Sequence, residues 1–311
     1  MKIAYFTENG FEGYVPSEHP SLKGAMAWIA TLGAYHYNIH NIPANVAEQF
    51  DLGIFNIPKT NTAKLKHRNL PAEVRNICKR VAYIQEGPFW FWQDYPLDEQ
   101  VWYYNSLAES DIIYVHNKVD KEYYQGLIGH PDVRVFKTLM LPPADVDTNI
   151  ERTGVMVGGN FVSWYGGFDS FIVAREYSED IYIPSMGRRQ PGEEQIGVKQ
   201  LPYMQWSDFM QELNKRSVGV HLMRTHAAGT FALNCSYLGI PCIGYKGLDT
   251  QETLHPLLTV EDGDLTTAKK LSKKLQTELD FYQECSILTR RLYEEYYSKQ
   301  AWERDIQNIL A

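Results

Sequence analysis

A segment of about thirty residues, 217–245, constrains the fold of this chain more than any other part of it. Its first part, Val218–Met223, is an apolar run that predicts a buried strand of a parallel sheet. A polar loop with a Gly229-Thr230 turn follows, and Phe231–Leu238 predicts a short helix that ends at the next Gly-Ile-Pro. Cys242–Tyr245 predicts a second strand. A strand, a helix and a strand in this order predict a parallel α/β sheet.

The same alternation of short apolar strands and amphipathic segments runs along the chain. The strands predicted in the first half are Lys2–Phe6, Tyr37–Ile42, Leu52–Asn56, Val81–Gln85, Asp111–His116 and Val133–Leu139, with helical segments at Leu22–Leu32, Pro71–Lys79 and Leu97–Glu109. The proline-rich, acidic segment Leu141–Asp147 interrupts the pattern and reads as a linker. A new strand at Gly154–Gly158 restarts the pattern, and from Asp264 the chain is predicted to be helical nearly to its end. The expected fold class is α/β, with two consecutive Rossmann-like domains at 1–147 and 148–298.

Length and composition agree with a globular enzyme of two domains. The chain has 311 residues, 44% of them hydrophobic and 22% charged, and a formal net charge of −8. This acidic balance disfavours broad nucleic-acid binding. The N-terminus lacks the apolar segment of a signal peptide, and no run is long enough for a membrane-spanning helix. The four cysteines are scattered and match no zinc spacing, so we expect reduced thiols in a cytosolic, cytoplasmic protein.

Two glycine-containing turns are candidates for binding phosphate. Gly229 and Thr230 stand where the helix of the opening segment begins, and a helix N-terminus offers unpaired N–H groups and partial positive charge to an anion. Gly158, Gly159 and Asn160 end a predicted strand, where a missing side chain lets a ligand approach the backbone. The alternatives are a tight turn with a helix cap at the first place and an ordinary glycine turn at the second.

Three segments together resemble glycosyltransferases of the two-domain GT-B fold, nearest to the large, mainly retaining family that uses nucleotide sugars. Residues 142–148, PPADVDT, look like that family's interdomain P-N-G-V-D-T segment. Residues 226–241, HAAGTFALNCSYLGIP, are similar to its E-x-F-G-(x4)-E-A-x-A-x-G-x-P signature, and residues 260–264, VEDGD, resemble its V-x-D-G-D. The resemblance implies two domains that face each other across a cleft, with residues 299–311 packing back on the first.

The resemblance also implies a role for donor-side residues, although the chain departs from the family pattern. His226 stands where the family's first Glu faces the transferred sugar, and it is expected to contact a sugar hydroxyl or a phosphate at this catalytic position. Asn234 stands where the second Glu usually binds the ribose, and an amide both donates and accepts hydrogen bonds. The Arg and Lys pair that holds the pyrophosphate is missing, so Arg188, Arg189 or Arg224 is expected to supply the positive charge. Loop arginines are also often simply solvated.

The first half is expected to hold the acceptor. The loop with Gly10 and Gly13 lies where a glycine-rich loop of GT-B proteins approaches donor and acceptor. Glu86 directly follows a predicted strand, at the edge where open α/β sheets bind ligands. It is a candidate catalytic base, or it orients the acceptor hydroxyl, or it is a solvated loop acid. Asp94 is a second candidate acid, and His116 ends a further strand and is expected to line the same edge.

Two other patterns have competing interpretations. Phe89–Trp92 is a run of four aromatics that cannot all face one core if the chain is extended, so some are expected to stack on an acceptor, unless they form a buried plug. Asp145 and Asp147 match the D-x-D that binds a metal in the other main glycosyltransferase fold, but between two Rossmann-like halves a linker is the favoured interpretation.

These observations predict a glycosyltransferase that moves a hexose or a pentose from a nucleotide-sugar donor to an acceptor hydroxyl. It is expected to work with retention, without a metal and without a further cofactor. A glycan or a small molecule is the favoured acceptor. The alternatives are a phage-type enzyme that modifies DNA, which the acidic charge disfavours, and a non-catalytic module that binds nucleotide sugars.

Overall fold

The chain forms two compact units. The structure is a computed structural model that describes residues 1–16, 19–59, 62–85, 87–129, 132–143, 146–147, 150–185 and 189–310. The first unit comprises Met1–Lys137 together with Asn308–Ala311, and the second comprises Thr138–Gln307. The predicted boundary after residue 147, and the predicted packing of residues 299–311 on the first half, stay predictions.

The described part of the first unit is a parallel sheet with helical connections. Its strands are β1 (Ile3–Thr7), β2 (Tyr35–Asn38), β3 (Phe50–Phe55), β4 (Cys78–Ile84), β5 (Ile112–Val115) and β6 (Val133–Val135). Its helices are α1 (Ala25–Leu32), α2 (Leu70–Arg75), α3 (Leu97–Ala108) and α4 (Lys118–Ile128), with short 3-10 helices at Ile39–Asn41, Thr62–Lys64 and Phe89–Asp94. Burial on every residue of β1 and β5 is typical of strands that are covered on both faces.

The second unit repeats this plan. Its strands are β7 (Val155–Val157), β8 (Ile181–Pro184), β9 (Lys199–Leu201), β10 (Val218–His221), β11 (Cys242–Tyr245) and β12 (Thr259–Val260). Its helices are α5 (Gly167–Ala174), α6 (Trp206–Asn214), α7 (Thr230–Leu238), α8 (Asp249–Leu254), α9 (Leu265–Thr277), α10 (Leu279–Tyr296) and α11 (Lys299–Leu310), the last of which ends in the first unit. Further 3-10 helices lie at Ser163–Tyr165, Glu193–Gln195 and Pro256–Leu258.

Both sheets are parallel, and each has one point where the strand order reverses. The order is β2-β1-β3-β4-β5-β6 in the first sheet and β12-β11-β10-β7-β8-β9 in the second. The reversal lies between β1 and β3 in the first sheet and between β7 and β10 in the second. In open α/β sheets, ligands bind beyond the carboxyl ends of the strands at such a point. The predicted α/β fold class, with doubly wound sheets, is confirmed.

The sequence placed most elements within a few residues of their observed ends, but three differ. The strand predicted at Tyr37–Ile42 gives way to a 3-10 helix after Asn38, because the Asn38 side chain accepts a hydrogen bond from His40 N and turns the chain. Strand β9, Lys-Gln-Leu, is short and polar and carried no apolar signal. The run Phe89–Trp92 is helical rather than extended.

Several chemical features of the described chain bear on function. The cysteines Cys78, Cys235, Cys242 and Cys285 are all free and buried. Burial raises the pKa of the Cys78 thiol to about 12 and that of Cys285 to about 11, and it also raises the pKa of Cys235. Among the described residues, no helix combines the length and the apolar character needed to cross a membrane.

Candidate functional site

The reversal point of the second sheet lies between two loops, one after β7 and one after β10. The β10 ladder pairs with β7 through Val218–Val155 and Val220–Val157, so the carboxyl ends of both strands lie side by side. The first loop carries Gly158, Gly159 and Asn160, and the second carries Arg224, His226 and Gly229. The topology therefore brings most of the predicted donor-side residues to one edge of one sheet.

Helix α5 is pressed against the end of β10. Leu222 N donates a hydrogen bond to the Ser170 hydroxyl at 2.8 Å. Gly166, with φ +61°, leaves no room for a side chain, because a Cβ there would lie 2.0 Å from the Leu222 carbonyl oxygen. The N-termini of α5 and α7 therefore flank the loop that joins β10 to α7.

Gly229 and Thr230 form the N-terminus of α7 as the sequence predicted. Gly229 has φ +65° and ψ +33°, and as the N-cap residue it provides no side-chain hydrogen bond to the first turn of the helix. A Cβ at Gly229 would lie 1.9 Å from Thr250 Oγ1, which donates a hydrogen bond to the Gly229 carbonyl at 3.0 Å. The turn thus requires glycine for both its conformation and its space. The uncapped N–H groups of α7 remain available to an anion.

Arg224 is an exposed cation that its neighbours hold in place at this edge. Its Nε donates to Asp262 at 2.9 Å, and its guanidinium lies 3.8 Å from Asp169 and 5.9 Å from the centre of the Tyr245 ring. The hydrogen bond to Asp262 raises the pKa of Arg224. Asp169 and Tyr245 were not predicted as partners of Arg224, whereas Asp262 belongs to the V-x-D-G-D segment. A positioned guanidinium suits the recognition of a phosphate.

His226 lies on the same loop and is half-buried. Burial lowers its pKa, against the opposing effect of the carboxylates of Asp262 and Glu252. The imidazole occupies the space beside Gly247, where a Cβ would lie 2.3 Å from His226 Nε2. Gly247 was not predicted as a site residue. Its φ of +105° favours glycine, and the glycine is the only sign of this conformation in the sequence. A neutral imidazole can both donate and accept a hydrogen bond with a sugar hydroxyl.

Asn234 lies in the second turn of α7 and is buried. Its Oδ1 accepts a hydrogen bond from the Trp206 indole at 3.4 Å, which joins α7 to the first residue of α6. Its role toward a ribose stays a prediction.

The glycines after β7 are packed against side chains of their own unit. A Cβ at Gly158 would lie 2.5 Å from the His221 ring, and a Cβ at Gly159 would lie 2.6 Å from Tyr165 Cβ. Asn160 is buried, and its Oδ1 accepts a hydrogen bond from Val162 N at 3.2 Å. These contacts give the three residues a packing role, and their contact with a ligand remains a prediction.

In the first unit, the N-terminal loop with Gly10 and Gly13 is hydrogen-bonded to β2. Gly13, with φ +118°, exchanges two backbone hydrogen bonds of 2.9 Å with His36. His36 is buried, and its ring bonds to Thr7 Oγ1 and to the Phe11 carbonyl at 2.8 and 2.7 Å. Gly10 is exposed, with no atom within 4 Å of a Cβ placed on it. The loop follows β1, at the reversal point of the first sheet.

His116 and Asp94 have different surroundings. His116 is buried at the end of β5, its Nε2 bonds to the Gln85 carbonyl at 2.8 Å, and its ring stacks on Trp28 at 5.3 Å. Burial lowers the pKa of His116 to about 4, so the ring is neutral at pH 7. Asp94 is the exposed last residue of the 3-10 helix Phe89–Asp94.

Three predicted residues, Glu86, Arg188 and Asp145, lie outside the described residues. Arg189 is described and is exposed. Within the described ranges, no group of three or more His, Cys, Asp or Glu side chains is arranged to hold a metal ion. The expectation of metal-independent chemistry stays a prediction.

Comparison with known proteins gives a clear result for the fold alone. No protein-family model matches the chain, and no curated protein matches it in sequence. Among solved structures, an alpha-glucosyltransferase in complex with UDP superposes with a TM-score of 0.66 at 13% identity, over 100% of both chains. Sucrose-phosphate synthase from Thermosynechococcus elongatus gives a TM-score of 0.68 at 11% identity, over 100% of this chain and 98% of that one.

A third structure covers less of its own length. It is a mutant of S. aureus TarM in complex with fondaparinux, alpha-GlcNAc-glycerol and UDP, with a TM-score of 0.60 at 10% identity over 83% of this chain. The chain spans 55% of the length of that protein. All three are GT-B glycosyltransferases. The GT-B fold that the sequence resemblance implied is therefore confirmed.

Proposed function

We propose that this protein is a glycosyltransferase that moves a sugar from a nucleotide-sugar donor to an acceptor hydroxyl, with retention and without a metal. One observation carries the proposal. At the reversal point of the second sheet, an uncapped helix N-terminus and a positioned arginine converge on one loop, in a fold whose structural neighbours were solved with UDP.

The second unit supplies the donor-side chemistry. The first N–H groups of α7 and the Arg224 guanidinium stabilise the negative charge that develops on the departing diphosphate. Asp262 and Asp169 hold Arg224 in place before the donor binds, so little reorganisation accompanies the reaction. His226, whose pKa is lowered by burial, bonds to a hydroxyl of the transferred sugar.

The first unit supplies the acceptor side in this proposal. The loop with Gly10 and Gly13 follows β1 at the reversal point of its sheet. Glu86, which follows β4, orients the acceptor hydroxyl. A retaining transfer depends less than an inverting transfer on a base at this position that deprotonates the acceptor hydroxyl.

Calorimetric titration with UDP and UDP-glucose, together with an assay of UDP release, tests the proposal. We expect binding of both ligands and slow hydrolysis of UDP-glucose. Arg224→Gln should weaken UDP binding by about tenfold to a hundredfold, because hydrogen bonds to charged groups contribute about 1.5–3 kcal/mol. Arg175→Gln is the matched control, since Arg175 is an exposed arginine that pairs with Glu179 just beyond the other end of α5.

The possible outcomes separate the competing functions. If neither UDP nor UDP-glucose binds, the proposal is wrong. Binding without hydrolysis, and without transfer to any acceptor offered, would instead favour a non-catalytic module.

The acceptor is tested separately, because one neighbouring alpha-glucosyltransferase was solved with UDP and a DNA that contains an HMU base. Two cations of the first unit, Lys66 and Arg68, are paired with Asp98 and Glu73, and the net charge of the chain is −8. We therefore propose a glycan or a small-molecule acceptor. Salt-sensitive binding to duplex DNA would contradict this choice.

A further inference from the structure

Two polar groups of the first unit are buried and lack hydrogen-bond partners within the described part of the chain. They are the Gln85 carboxamide, of which neither Nε2 nor Oε1 has a partner, and the Trp92 indole N–H. Buried polar groups are nearly always paired, because an unpaired one costs free energy of folding. Two such groups in adjoining segments therefore need an explanation.

Both groups lie on the same face of the first sheet. Gln85 directly follows β4, and its backbone N–H continues the ladder by bonding to the Tyr114 carbonyl at 3.0 Å. Because side chains alternate along a strand, Gln85 shares the face of Tyr83. The Tyr83 ring contacts Tyr103 at 5.8 Å, and the Trp92 ring stacks on the same Tyr103 at 5.4 Å with an interplanar angle of 11°.

The segment that carries Trp92 is well suited to recognise a sugar. The 3-10 helix Phe89–Asp94 contains four aromatic residues, and none of its residues is fully buried. Phe89 and Trp92 pack on the core, while Trp90 and Phe91 are partly exposed. Sites for small polar ligands combine aromatic faces with a few placed hydrogen-bonding groups. An amide and an indole N–H together offer donors and an acceptor, which matches neighbouring hydroxyl groups.

We propose that Gln85 and Trp92 form a hydroxyl-binding subsite for a carbohydrate acceptor, an inference that rests on the proposed glycosyl transfer. The subsite lies at the carboxyl end of β4, where ligands of parallel sheets bind. Neither group is exposed to solvent, so the 3-10 helix shifts to admit the sugar. Short 3-10 helices have poorer hydrogen-bond geometry than α-helices, so such a shift costs little free energy.

The protein saturated with UDP provides the test. Two probes, methyl α-D-glucopyranoside and glycerol, are titrated while the side-chain amide signals of Gln85 and the indole signal of Trp92 are followed by NMR. The signals are assigned from their loss in Gln85→Met and Trp92→Phe. We expect both to shift with one dissociation constant for the glucoside, and each substitution to raise that constant by about tenfold.

Stability provides a second readout that a purely structural role would not give. Gln85→Met and Trp92→Phe remove groups that are unpaired in the free protein, so we expect an unchanged or raised Tm together with weaker sugar binding. The matched controls are Gln251→Met and Trp102→Phe. Gln251 Nε2 donates to the Cys242 carbonyl at 2.9 Å, and Trp102 Nε1 donates to the Arg68 carbonyl at 2.8 Å. Both controls should lower Tm and leave sugar binding unchanged.

Two results would overturn the subsite. Either neither signal moves with either probe, or the two site variants bind the glucoside as the parent does. UDP titration of the parent protein keeps this failure apart from failure of the proposed function. A parent protein that binds UDP but shows no sugar-dependent shift contradicts only the subsite, whereas one that does not bind UDP contradicts the glycosyltransferase.

Discussion

At the residue scale, the loops at the reversal point of the second sheet depend on glycines, and atoms of neighbouring residues fill the space of the missing side chains. Thr250 occupies the space where a Cβ of Gly229 would lie. In the same way, His226 occupies the space beside Gly247, and His221 occupies the space beside Gly158. Two of these three, Gly229 and Gly247, also have positive φ. The loop after β10 is therefore fixed by packing as well as by hydrogen bonds.

Gly229→Ala should disturb both folding and ligand binding. The substitution forces a Cβ into the left-handed region and to within 1.9 Å of Thr250 Oγ1. We expect a loss of about 1–3 kcal/mol in the free energy of unfolding, measured with urea, and weaker UDP binding by calorimetry. Gly126→Ala is the control. It lies inside α4 with open space around it, so it should raise stability by about 0.5–1 kcal/mol. Unchanged UDP affinity in Gly229→Ala would contradict the assignment of α7.

The sequence predicted where helix α7 begins, but it did not predict the contacts around this helix start. Gly229 and Thr230 were predicted at a helix start because a polar loop separates a buried strand from a small-residue helix. The ion pair of Arg224 with Asp169 was not predictable, because the two residues are 55 positions apart and meet only when α5 packs on β10. Asn234 could be aligned to a signature position, but its contact with Trp206 depends on α6.

At the scale of elements, the run Phe89–Trp92 shows where period-based prediction fails. An extended chain would alternate the four rings between two faces. Instead Pro88 precedes a 3-10 helix and Pro96 follows it, and a period near three directs Phe89 and Trp92 to the same side. Strand β9 was missed for a different reason, because the polar sequence Lys-Gln-Leu has no apolar alternation.

Helix α9 depends on a cap that the sequence pattern V-x-D-G-D supplies. Asp264 Oδ1 accepts a hydrogen bond from Thr267 N at 2.9 Å, and this interaction lowers the pKa of Asp264. Asp264→Ala should therefore reduce the free energy of unfolding, measured by thermal or urea unfolding. Asp264→Asn keeps a capping oxygen and should lose much less. Equal losses in the two variants would show that the cap is not the cause.

At the scale of the whole molecule, repeated strand–helix units made the fold class predictable, but the sequence did not reveal the strand order. Six strands in each half can be arranged in several ways that keep right-handed crossovers. The two reversal points lie where β1 pairs with β3 and where β7 pairs with β10. These positions decide which loops can form a ligand site.

Three of the buried histidines, His116, His221 and His255, should make the protein sensitive to mild acid. Burial lowers the pKa of each to about 4, whereas an unfolded histidine titrates near 6.5. As pH falls below 6.5, protons bind the unfolded chain first, so stability is lost between pH 6.5 and pH 4. Between pH 7 and pH 5, urea unfolding should show a loss of about 2 kcal/mol per histidine.

His221→Phe isolates one of these contributions. The His221 ring packs edge-on against Phe231, and its Nε2 has no partner among the described residues, so an apolar ring suits the site. The variant should show a shallower dependence of stability on pH. The same pH dependence as in the parent protein would exclude His221 as a source of the acid sensitivity.

The reactivity of the buried cysteines reports local opening of the chain. A thiol reacts only as an exposed thiolate, and here burial both hides the sulfur and raises the thiol pKa. Cys78 belongs to the first unit, and the other three belong to the second. The rate at which an alkylating reagent modifies each position therefore measures how often that unit opens, and mass spectrometry of the peptides reads both rates from a single sample.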